Sequence, residues 1–273
     1  MTSSSTLQHF FPPIRGIVLD MDGVLWKDTR PIGNLPAIFD RMHSVGLKVM
    51  LATNNATMTV EQYLEKLKGF GVVLDSWEII TSAHGVADAL VKAFPAKGAV
   101  FVVGENGVIT ALCEAGFSVI TDPDDETQVV AVVAGMDRGL SYRKLSRSMS
   151  HIRAGASFYG TNPDATFPTP AGLVPGAGSV LAAIQAAAGK DPIVIGKPSP
   201  FMFRLCAERM QLNMPEILMV GDRLETDIAG AQAVGARTGL VLSGVSTAEQ
   251  AAHWQPQPDL IAQDLSSLVG ASD

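Results

Sequence analysis

The sequence contains few of the residues that mark disulfide-rich, nucleic-acid-binding or membrane proteins. Its 273 residues include two cysteines, Cys113 and Cys206, and only 17% are charged. Two distant cysteines are too few for a disulfide framework and lack the spacing of metal ligands, so we expect both to be reduced core residues. The net charge of −7, without any run of Lys and Arg, disfavours binding to nucleic acid or to an anionic membrane.

Long apolar segments are also absent. The most apolar stretches, such as residues 129–134, are about the length of a buried strand, far shorter than the roughly 20 residues that cross a bilayer. The N-terminal segment MTSSSTLQHFFPP lacks the basic and apolar regions of a signal peptide. We therefore expect a cytoplasmic protein without membrane contact. The apolar fraction of 47% is sufficient for a large folded core.

Short runs of β-branched residues alternate with longer segments of helical period along the chain. This order predicts an α/β protein with a doubly wound core, in which helices cover both faces of a parallel sheet. We expect the strands of this core sheet at residues 14–19, 47–52, 193–195, 217–220 and 238–242.

A second set of strands interrupts the first. It is predicted at residues 99–103, 117–120 and 129–133, with a helix around 108–115, and the proline-rich loop 161–176 marks its far edge. Because core strands occur before and after this block, we interpret it as an inserted, smaller α/β domain. The predicted limits are 1–83 for the first part of the core, 84–180 for the insertion and 181–273 for the second part of the core.

The first polar cluster, Asp20 and Asp22, follows the predicted strand at 14–19. Ligands of open parallel sheets bind beyond the carboxyl ends of the strands, and a spacing of two lets both carboxylates face one pocket. Two adjacent acids can divide the work, one as an ionised nucleophile and the other as a protonated general acid. A solvated turn or a calcium loop would suit Asp-x-Asp-Gly equally well, so the pair alone does not decide between a catalytic and a structural role.

The second cluster, Thr53, Asn54 and Asn55, follows the predicted strand at 47–52. Residues at this position can open a helix whose free N–H groups bind an anion, and a Thr hydroxyl suits a phosphate oxygen. Thr and Asn are also favoured helix caps, which is the simpler interpretation of this cluster by itself.

Two further clusters follow the predicted strands at 193–195 and 217–220. Lys197 precedes a proline-bounded helix start, where its charge would lie beside a phosphate, although a single Lys is usually a surface residue. Asp222 closes a strand and Asp227 enters the next helix, and such a pair supplies oxygen ligands suited to Mg²⁺. A helix cap explains Asp227 but not Asp222. Because the carboxyl ends of parallel strands share one edge, we expect all four clusters to open onto it.

Together the four clusters indicate a function more specifically than any one of them does. The motifs LDMDGVLW, ATNN, IGKPSP and GDRLETDI, with an α/β insertion between the second and third, resemble the haloacid dehalogenase-like phosphatases. The insertion's position and the segment TNPDATFPTPAGLVPGAG are similar to subfamily IIA, which includes NagD, 4-nitrophenyl phosphatases, phosphoglycolate phosphatases and pyridoxal phosphatase. The resemblance implies a Rossmann-like core, a cap domain and Mg²⁺-dependent hydrolysis of small-molecule phosphate monoesters.

The resemblance also implies catalytic and metal-binding roles. In this family the first Asp of the pair, here Asp20, attacks phosphorus and forms an aspartyl-phosphate. The second, Asp22, protonates the leaving oxygen and then activates water, while its backbone carbonyl helps to hold Mg²⁺. Asp222 would be a direct metal ligand, and Asp227 would act through bound water or by orienting its neighbours. The implied metal site therefore comprises all four aspartates.

Substrate binding falls on other residues. Thr53, Asn54 and Asn55 would bind the phosphoryl group, with Lys197 beside it. The loop 161–170 of the inserted domain is expected to face the core, which makes Asn162, Asp164 and Phe167 candidate contacts for the leaving group. Such proline-rich loops are more often simple hinges.

Charge counting explains why a cation is needed. An ionised Asp20 about 4 Å from a phosphate dianion meets two repulsive pairs, each worth roughly 4 kcal/mol at an effective dielectric constant of about 20. Lys197 offsets part of this repulsion, whereas Asp222 and Asp227 add to it. Oxygen ligands and a phosphate substrate favour Mg²⁺, so we expect the metal-free enzyme to be inactive.

Three other functions compete with this one. A phosphoaspartate receiver-like module also carries an Asp at a strand end, a Thr and a Lys, but it needs neither a cap nor a proton donor. A non-catalytic binding protein on the same fold would be expected to lack Asp20 or Asp22. Phosphotransfer to a sugar would depend on closure of the cap. The sequence does not distinguish among sugar phosphates, nucleotides, phosphoglycolate and pyridoxal phosphate, and it allows a homodimer.

Overall fold

A computed structural model describes residues 10–169 and 172–271. Residues 1–9, which are most of the N-terminal segment for which no signal peptide is predicted, and Pro170 of the proline-rich loop lie outside the described residues. The strands are β1 (Gly16–Leu19), β2 (Trp26–Lys27), β3 (Arg30–Pro31), β4 (Lys48–Thr53), β5 (Ile79–Thr81), β6 (Ala99–Val103), β7 (Ser118–Ile120), β8 (Ala131–Ala134), β9 (Ser157–Gly160), β10 (Thr166–Thr169), β11 (Gly172–Pro175), β12 (Ile193–Val194), β13 (Ile217–Gly221), β14 (Arg237–Val241) and β15 (Leu260–Ala262).

The α-helices lie between these strands, mostly as connections from one strand to the next. They are α1 (Leu35–Ser44), α2 (Val60–Gly69), α3 (Ser82–Ala93), α4 (Asn106–Glu114), α5 (Tyr142–Arg153), α6 (Ala177–Ala188), α7 (Pro200–Met210), α8 (Ala229–Val234), α9 (Ala248–His253) and α10 (Leu265–Val269). Within the described residues, no helix is long and apolar enough to cross a membrane.

The chain divides into two compact units. Unit 1 consists of Met1–Thr53, Tyr63–Ile80 and Lys197–Asp273, and unit 2 consists of Asn54–Gln62 and Thr81–Gly196. Both segments of unit 2 thus lie in sequence between parts of unit 1. The fold class is the predicted one, a doubly wound parallel-sheet core with a smaller inserted α/β unit. The limits 84 and 180 remain predictions of where a cap domain begins and ends.

Unit 1 is built on a six-stranded sheet in the order β15-β14-β13-β1-β4-β5. The pairings of β1 with β13 and β4, and of β14 with β13 and β15, are parallel. Every residue of β1 and β13 is buried, as expected for central strands that have helices on both faces. Their continuous apolar sequences, GIVL and ILMVG, follow from this burial.

The strand order places a topological switch point at β1. The chain passes from β1 to β4 on one side, while β13 and β14 extend the sheet on the other. Leu19 at the end of β1 is level with both Val220 of β13 and Leu51 of β4. The residues that follow these three strands therefore emerge side by side, at the edge where open α/β sheets bind their ligands.

Local sequence explains where the connecting helices begin. The Asn34 side chain accepts a hydrogen bond from the Ala37 backbone N–H at the start of α1, and Pro36 occupies the first turn, where its missing N–H costs nothing. Arg41 and His43 lie in the last turn, where positive charge favours the negative end of the helix dipole. α1 is thereby limited to ten residues between β1 and β4.

Unit 2 has its own five-stranded sheet, in the order β12-β9-β8-β6-β7, and all of its pairings are parallel. Separate hydrophobic clusters pack on it, one centred on α3 and α4 and the other on α5 and α6. β10 and β11 form a two-stranded antiparallel hairpin in the proline-rich segment.

Two predictions about the fold are wrong, and the predicted core sheet is incomplete. The strand near 193–195 is not part of the core sheet, because Ile193 and Val194 of β12 pair with β9 of unit 2. Two core strands, β5 and β15, were not predicted, because runs of only three residues lack a readable pattern. Cys206 is buried as expected, but Cys113 is exposed because it lies on the outer side of α4.

Candidate active site

Two aspartates lie at the switch point of unit 1. Asp20 directly follows β1, and its backbone N–H donates to the Val220 carbonyl of β13 at 2.9 Å. Asp222 directly follows β13 and is 1% exposed. The parallel register of the two strands is therefore what places the two carboxyl groups next to each other, as the sequence predicts for the edge of the sheet.

Lys197, which also belongs to unit 1, contacts both Asp20 and Asp227. Its ammonium group donates to Asp20 Oδ1 at 2.6 Å and to the Ala52 carbonyl at 2.8 Å, and it lies 2.6 Å from Asp227 Oδ1. The side chain is 2% exposed. Burial alone would lower the pKa of Lys197, but the charges of Asp20 and Asp227 outweigh it and raise the pKa above its ordinary value. Lys197 is thus a buried, permanently charged group.

The two acids of the fourth motif are fixed by backbone donors. The Val245 N–H donates to Asp222 Oδ2 at 2.8 Å, and the Arg223 N–H donates to Asp227 Oδ2 at 3.2 Å. Asp227 lies in a π-helical turn, Leu224–Ile228, which precedes α8. Its carboxyl group is therefore turned back toward β13, where it meets Lys197.

Glycines make room for the Asp222 carboxyl group. A Cβ atom on Gly244 would overlap this carboxyl group, and one on Gly23 would lie 2.5 Å from Asp222 Oδ2. Gly23 also has a φ of +86°, a conformation that other residues adopt only with strain. The glycine of the DMDG motif thus serves both the turn and the close packing around Asp222.

The geometry fits a divalent cation. Asp20, Asp222 and Asp227 each offer one carboxylate oxygen, and the three oxygens lie within 4.8 Å of one another. Among the described residues, the buried Asp222 Oδ1 has no hydrogen-bond partner. Burial, followed by the neighbouring Asp227 charge, raises the pKa of Asp222 to about 6. Three hard oxygen ligands with one unsatisfied acceptor match the preferences of Mg²⁺ or Ca²⁺.

Asp22 lies beside this cluster but is held differently. Its residue is exposed, and its Oδ1 accepts a 2.8 Å hydrogen bond from the indole N–H of Trp26. The Asp22 side chain is not one of the three described side chains that could hold a cation together. The metal role predicted for Asp22 was assigned to its backbone carbonyl and stays a prediction.

Thr53 ends β4 in unit 1 and is 3% exposed. Its hydroxyl shares a hydrogen bond with the Tyr63 hydroxyl. Burial, and then the Asp22 charge, raises the pKa of Tyr63, so the phenol stays protonated. Since Leu51 is level with Leu19, Thr53 leaves the sheet on the same edge as Asp20.

The other predicted substrate contacts belong to unit 2. The Asn54 amide donates to Asp164 Oδ2 at 3.3 Å, and its backbone carbonyl accepts from Ser82 Oγ at 2.6 Å. Asn55 Oδ1 accepts from both the backbone N–H and the hydroxyl of Thr57, which closes a turn. Phe167 is a half-buried residue of β10. Substrate contact by these three residues stays a prediction.

The aromatic residues around the site were not predicted. The sequence motifs assign no role to Trp26 or Tyr63, yet each carries a polar atom that bonds to a candidate site residue. A completely buried Trp or Tyr usually finds a partner for its N–H or O–H. The position of Trp26, four residues after Asp22 in a tight turn, was therefore an available indication.

Comparisons with known proteins point to one family. A model described as haloacid dehalogenase-like hydrolase matches residues 17–118, and a model described as HAD-hydrolase-like matches residues 194–268. An acid sugar phosphatase from Staphylococcus aureus is 33% identical over 255 residues, which cover 93% of this chain and 96% of that protein.

Solved structures agree with these matches. NagD from E. coli is 29% identical with a TM-score of 0.84, covering 93% of this chain and 97% of that one. A glycerol phosphate phosphatase from Mycobacterium tuberculosis, in complex with magnesium, is 30% identical with a TM-score of 0.85, covering 98% of this chain and 78% of that one. The same protein is also known in complex with calcium.

Proposed function

Because the chain belongs to the haloacid dehalogenase-like hydrolases, in the NagD-containing subfamily IIA, and is a phosphoric monoester hydrolase, we propose that it is a Mg²⁺-dependent phosphatase of small-molecule phosphate esters. The reaction proceeds through an aspartyl-phosphate on Asp20. The observation that carries this proposal is the buried group of three carboxylates that share Lys197 at the sheet switch point.

Asp20 is the residue best placed to attack phosphorus. Its Oδ1 is held by Lys197, which leaves Oδ2 as the attacking oxygen. Asp22, two residues later and more exposed, donates a proton to the leaving oxygen and then takes one from the water that hydrolyses the aspartyl-phosphate. Lys197 keeps its proton throughout and stabilises the negative charge that accumulates around phosphorus.

Asp20, Asp222 and Asp227 would hold the cation. The cluster has a formal charge of −2, three carboxylates against one ammonium group, before a phosphate dianion arrives. A bound Mg²⁺ would supply Lewis-acid stabilisation of the phosphoryl oxygens. Thr53, at the end of β4, contributes a hydroxyl to the same edge for binding those oxygens.

The first experiment tests metal dependence and the nucleophile together. Hydrolysis of 4-nitrophenyl phosphate should fall to the buffer blank in EDTA and return on addition of Mg²⁺. Asp20→Asn should show no turnover in Mg²⁺, because no other group replaces a covalent nucleophile. Acid quenching of wild-type enzyme with ³²P-labelled substrate should trap label on the protein, and Asp20→Asn should trap none.

The matched control is Asp40→Asn. This aspartate is an exposed residue of α1 in the same unit, so its substitution should leave turnover and labelling unchanged. Full activity in EDTA would refute the metal assignment. Labelling of Asp20→Asn at the wild-type level would refute covalent catalysis at Asp20.

We further propose sugar phosphates and glycerol phosphate as the first substrates to test, because relatives over nearly the whole chain are named for these compounds. A phosphate-release screen should compare them with nucleotides, phosphoglycolate and pyridoxal 5′-phosphate at equal concentration. Release from an alkyl phosphate in Mg²⁺ supports a small-molecule phosphatase. Transfer of the phosphoryl group to added sugar in preference to water would favour a phosphotransferase.

A further inference from the structure

The Asp22 carboxyl group depends on one neighbour for its orientation. The side chain is exposed on the turn after β1, where a carboxylate bonded only to solvent would rotate among several rotamers. Among the described residues, the hydrogen bond that its side chain accepts comes from Trp26 Nε1, at 2.8 Å to Oδ1. This bond occupies one oxygen and leaves Oδ2 for the leaving group.

The indole that makes this bond is itself rigidly held. Trp26 is 0% exposed, and its ring stacks on Tyr63 with centroids 6.4 Å apart and planes inclined by 18°. Phe70 packs against it at 6.0 Å, and the Lys66 ammonium group lies 4.0 Å from the ring centroid. A ring enclosed in this way keeps its N–H pointing in one direction.

Tyr63 extends the arrangement to a second site residue. It is 1% exposed, and its hydroxyl is hydrogen-bonded to that of Thr53 at the end of β4. Two stacked aromatic rings therefore each direct a polar atom to a different candidate group, one to Asp22 and the other to Thr53. Burial requires that each polar atom have a partner, but it does not require that both partners be candidate site residues.

We propose that Trp26 and Tyr63 are a pair of positioning residues for phosphate ester hydrolysis, in which the indole N–H orients Asp22 and the phenol orients Thr53. The inference rests on the proposed roles of Asp22 as general acid and Thr53 as phosphate contact. Neither aromatic residue needs to touch the substrate. Each acts through the group to which it is hydrogen-bonded.

The two residues should be distinguishable by their dependence on the leaving group. Loss of a general acid slows departure of a poor leaving group much more than that of a good one. Loss of a phosphate contact affects all phosphate esters alike. The quantity to compare is kcat/KM, because it covers steps up to the departure of the leaving group from phosphorus.

The test uses Trp26→Phe, which keeps an aromatic ring and removes the N–H. With glycerol phosphate, kcat/KM should fall roughly 10- to 100-fold, the effect of losing a hydrogen bond to a carboxyl group that becomes charged as it gives up its proton. With 4-nitrophenyl phosphate it should fall less than about threefold, since this leaving group needs little protonation. Combined with Asp22→Asn, Trp26→Phe should cost less than about twofold further, because its effect passes through Asp22.

Tyr63→Phe is the matched control for dependence on the leaving group. It removes one hydroxyl oxygen from Tyr63, and with it the hydrogen bond to Thr53, but leaves the bond from Trp26 to Asp22 in place. It should lower kcat/KM by a similar factor, roughly 2- to 10-fold, on both substrates. Phe39→Leu, at a buried aromatic residue of α1, tests loss of packing alone and should leave both values within about twofold, since it removes neither hydrogen bond. If Trp26→Phe does not fold, replacement of Trp26 by β-(3-benzothienyl)alanine removes the N–H and keeps the ring size.

The outcomes separate this inference from the proposed function. An equal loss on both substrates for Trp26→Phe, additive with Asp22→Asn, would show that Trp26 is structural and would overturn the inference. Wild-type kcat/KM of Asp22→Asn on glycerol phosphate would instead refute the proposed role of Asp22. A loss on Tyr63→Phe that is confined to one substrate would remove Tyr63 from the pair.

Discussion

Asp222→Asn should make the metal-free protein more stable while it removes activity. The wild-type cluster places the charges of Asp20, Asp222 and Asp227 close together with a single Lys197 among them. Without a cation, Asp222 is the member with least compensation, because its Oδ1 accepts no hydrogen bond within the described structure. Neutralising this residue should relieve repulsion that the fold otherwise has to overcome.

The magnitude follows from the charge separation and from the raised pKa of Asp222, which reflects burial first and the Asp227 charge second. Like charges 4.8 Å apart repel by about 3.5 kcal/mol at an effective dielectric constant of about 20. The rise in the Asp222 pKa from 3.8 to about 6 corresponds to about 3 kcal/mol. Asparagine can still accept from the Val245 N–H through its amide oxygen, and its NH₂ group has carboxylate acceptors nearby. We therefore expect a gain of about 2–3 kcal/mol in the free energy of unfolding.

The dependence on pH has a definite sign. Below about pH 4 the Asp222 carboxyl is protonated in both the folded and the unfolded protein, so the substitution has little effect. Between about pH 4 and 6 it ionises in the unfolded chain but resists ionisation in the folded one, because burial raises its pKa. Its contribution to the stability of the metal-free wild type therefore falls as pH rises through this interval.

Urea unfolding followed by circular dichroism is a suitable measurement. In EDTA at pH 8 the midpoint of Asp222→Asn should exceed that of the wild type, and the difference should shrink toward pH 4. In millimolar Mg²⁺ the order should reverse, since the wild type gains the free energy of cation binding. A lower midpoint for Asp222→Asn than for the wild type in EDTA would refute the electrostatic reasoning.

Two further predictions follow from packing and burial. Gly244→Ala should raise the Mg²⁺ concentration for half-maximal activity at least about tenfold, because the new Cβ overlaps the Asp222 carboxyl group. The control Gly69→Ala should not change this concentration, because a Cβ at Gly69 would lie in open space. In the native protein, Ellman's reagent should modify one thiol, that of Cys113, because Cys206 is buried and its pKa is raised to about 12. Modification of both thiols before the protein unfolds would contradict this prediction.

Much of the candidate site was predictable because it lies on central strands. The runs before Asp20, Thr53 and Asp222 are continuous and apolar, the pattern of strands buried on both faces, and parallel strands bring their carboxyl ends to one edge. Those two rules are enough to bring the three residues together without any knowledge of side-chain packing.

Lys197 shows where this reasoning breaks down. Its preceding strand was assigned to the core sheet, but Ile193 and Val194 pair in the sheet of unit 2. A two-residue apolar run carries no information about which sheet it joins, because partner choice depends on contacts distant in sequence. Lys197 nevertheless reaches Asp20, because the segment from Lys197 onward belongs to unit 1 and four carbon atoms extend its ammonium group into the cluster.

The aromatic pair was missed for a different reason. Composition and periodicity identify Trp26 and Tyr63 only as apolar residues. Their polar atoms matter once the turn after β1 and the part of α2 from Tyr63 onward are packed together in unit 1. The turn that carries Asp22 is short enough for Trp26 to hydrogen-bond back to it within four residues. Such a contact depends on the conformation of the turn, which the residue types alone do not fix.

The surplus of negative charge in unit 1 links stability to function. Three carboxylates and one ammonium group sum to a formal charge of −2, which one divalent cation cancels. The repulsion that makes the cluster costly to fold without metal is the same interaction that attracts the metal. Removal of the Asp222 carboxylate should therefore raise metal-free stability and lower activity together, whereas removal of Lys197 should lower both, because it leaves three buried acids without a counter-charge.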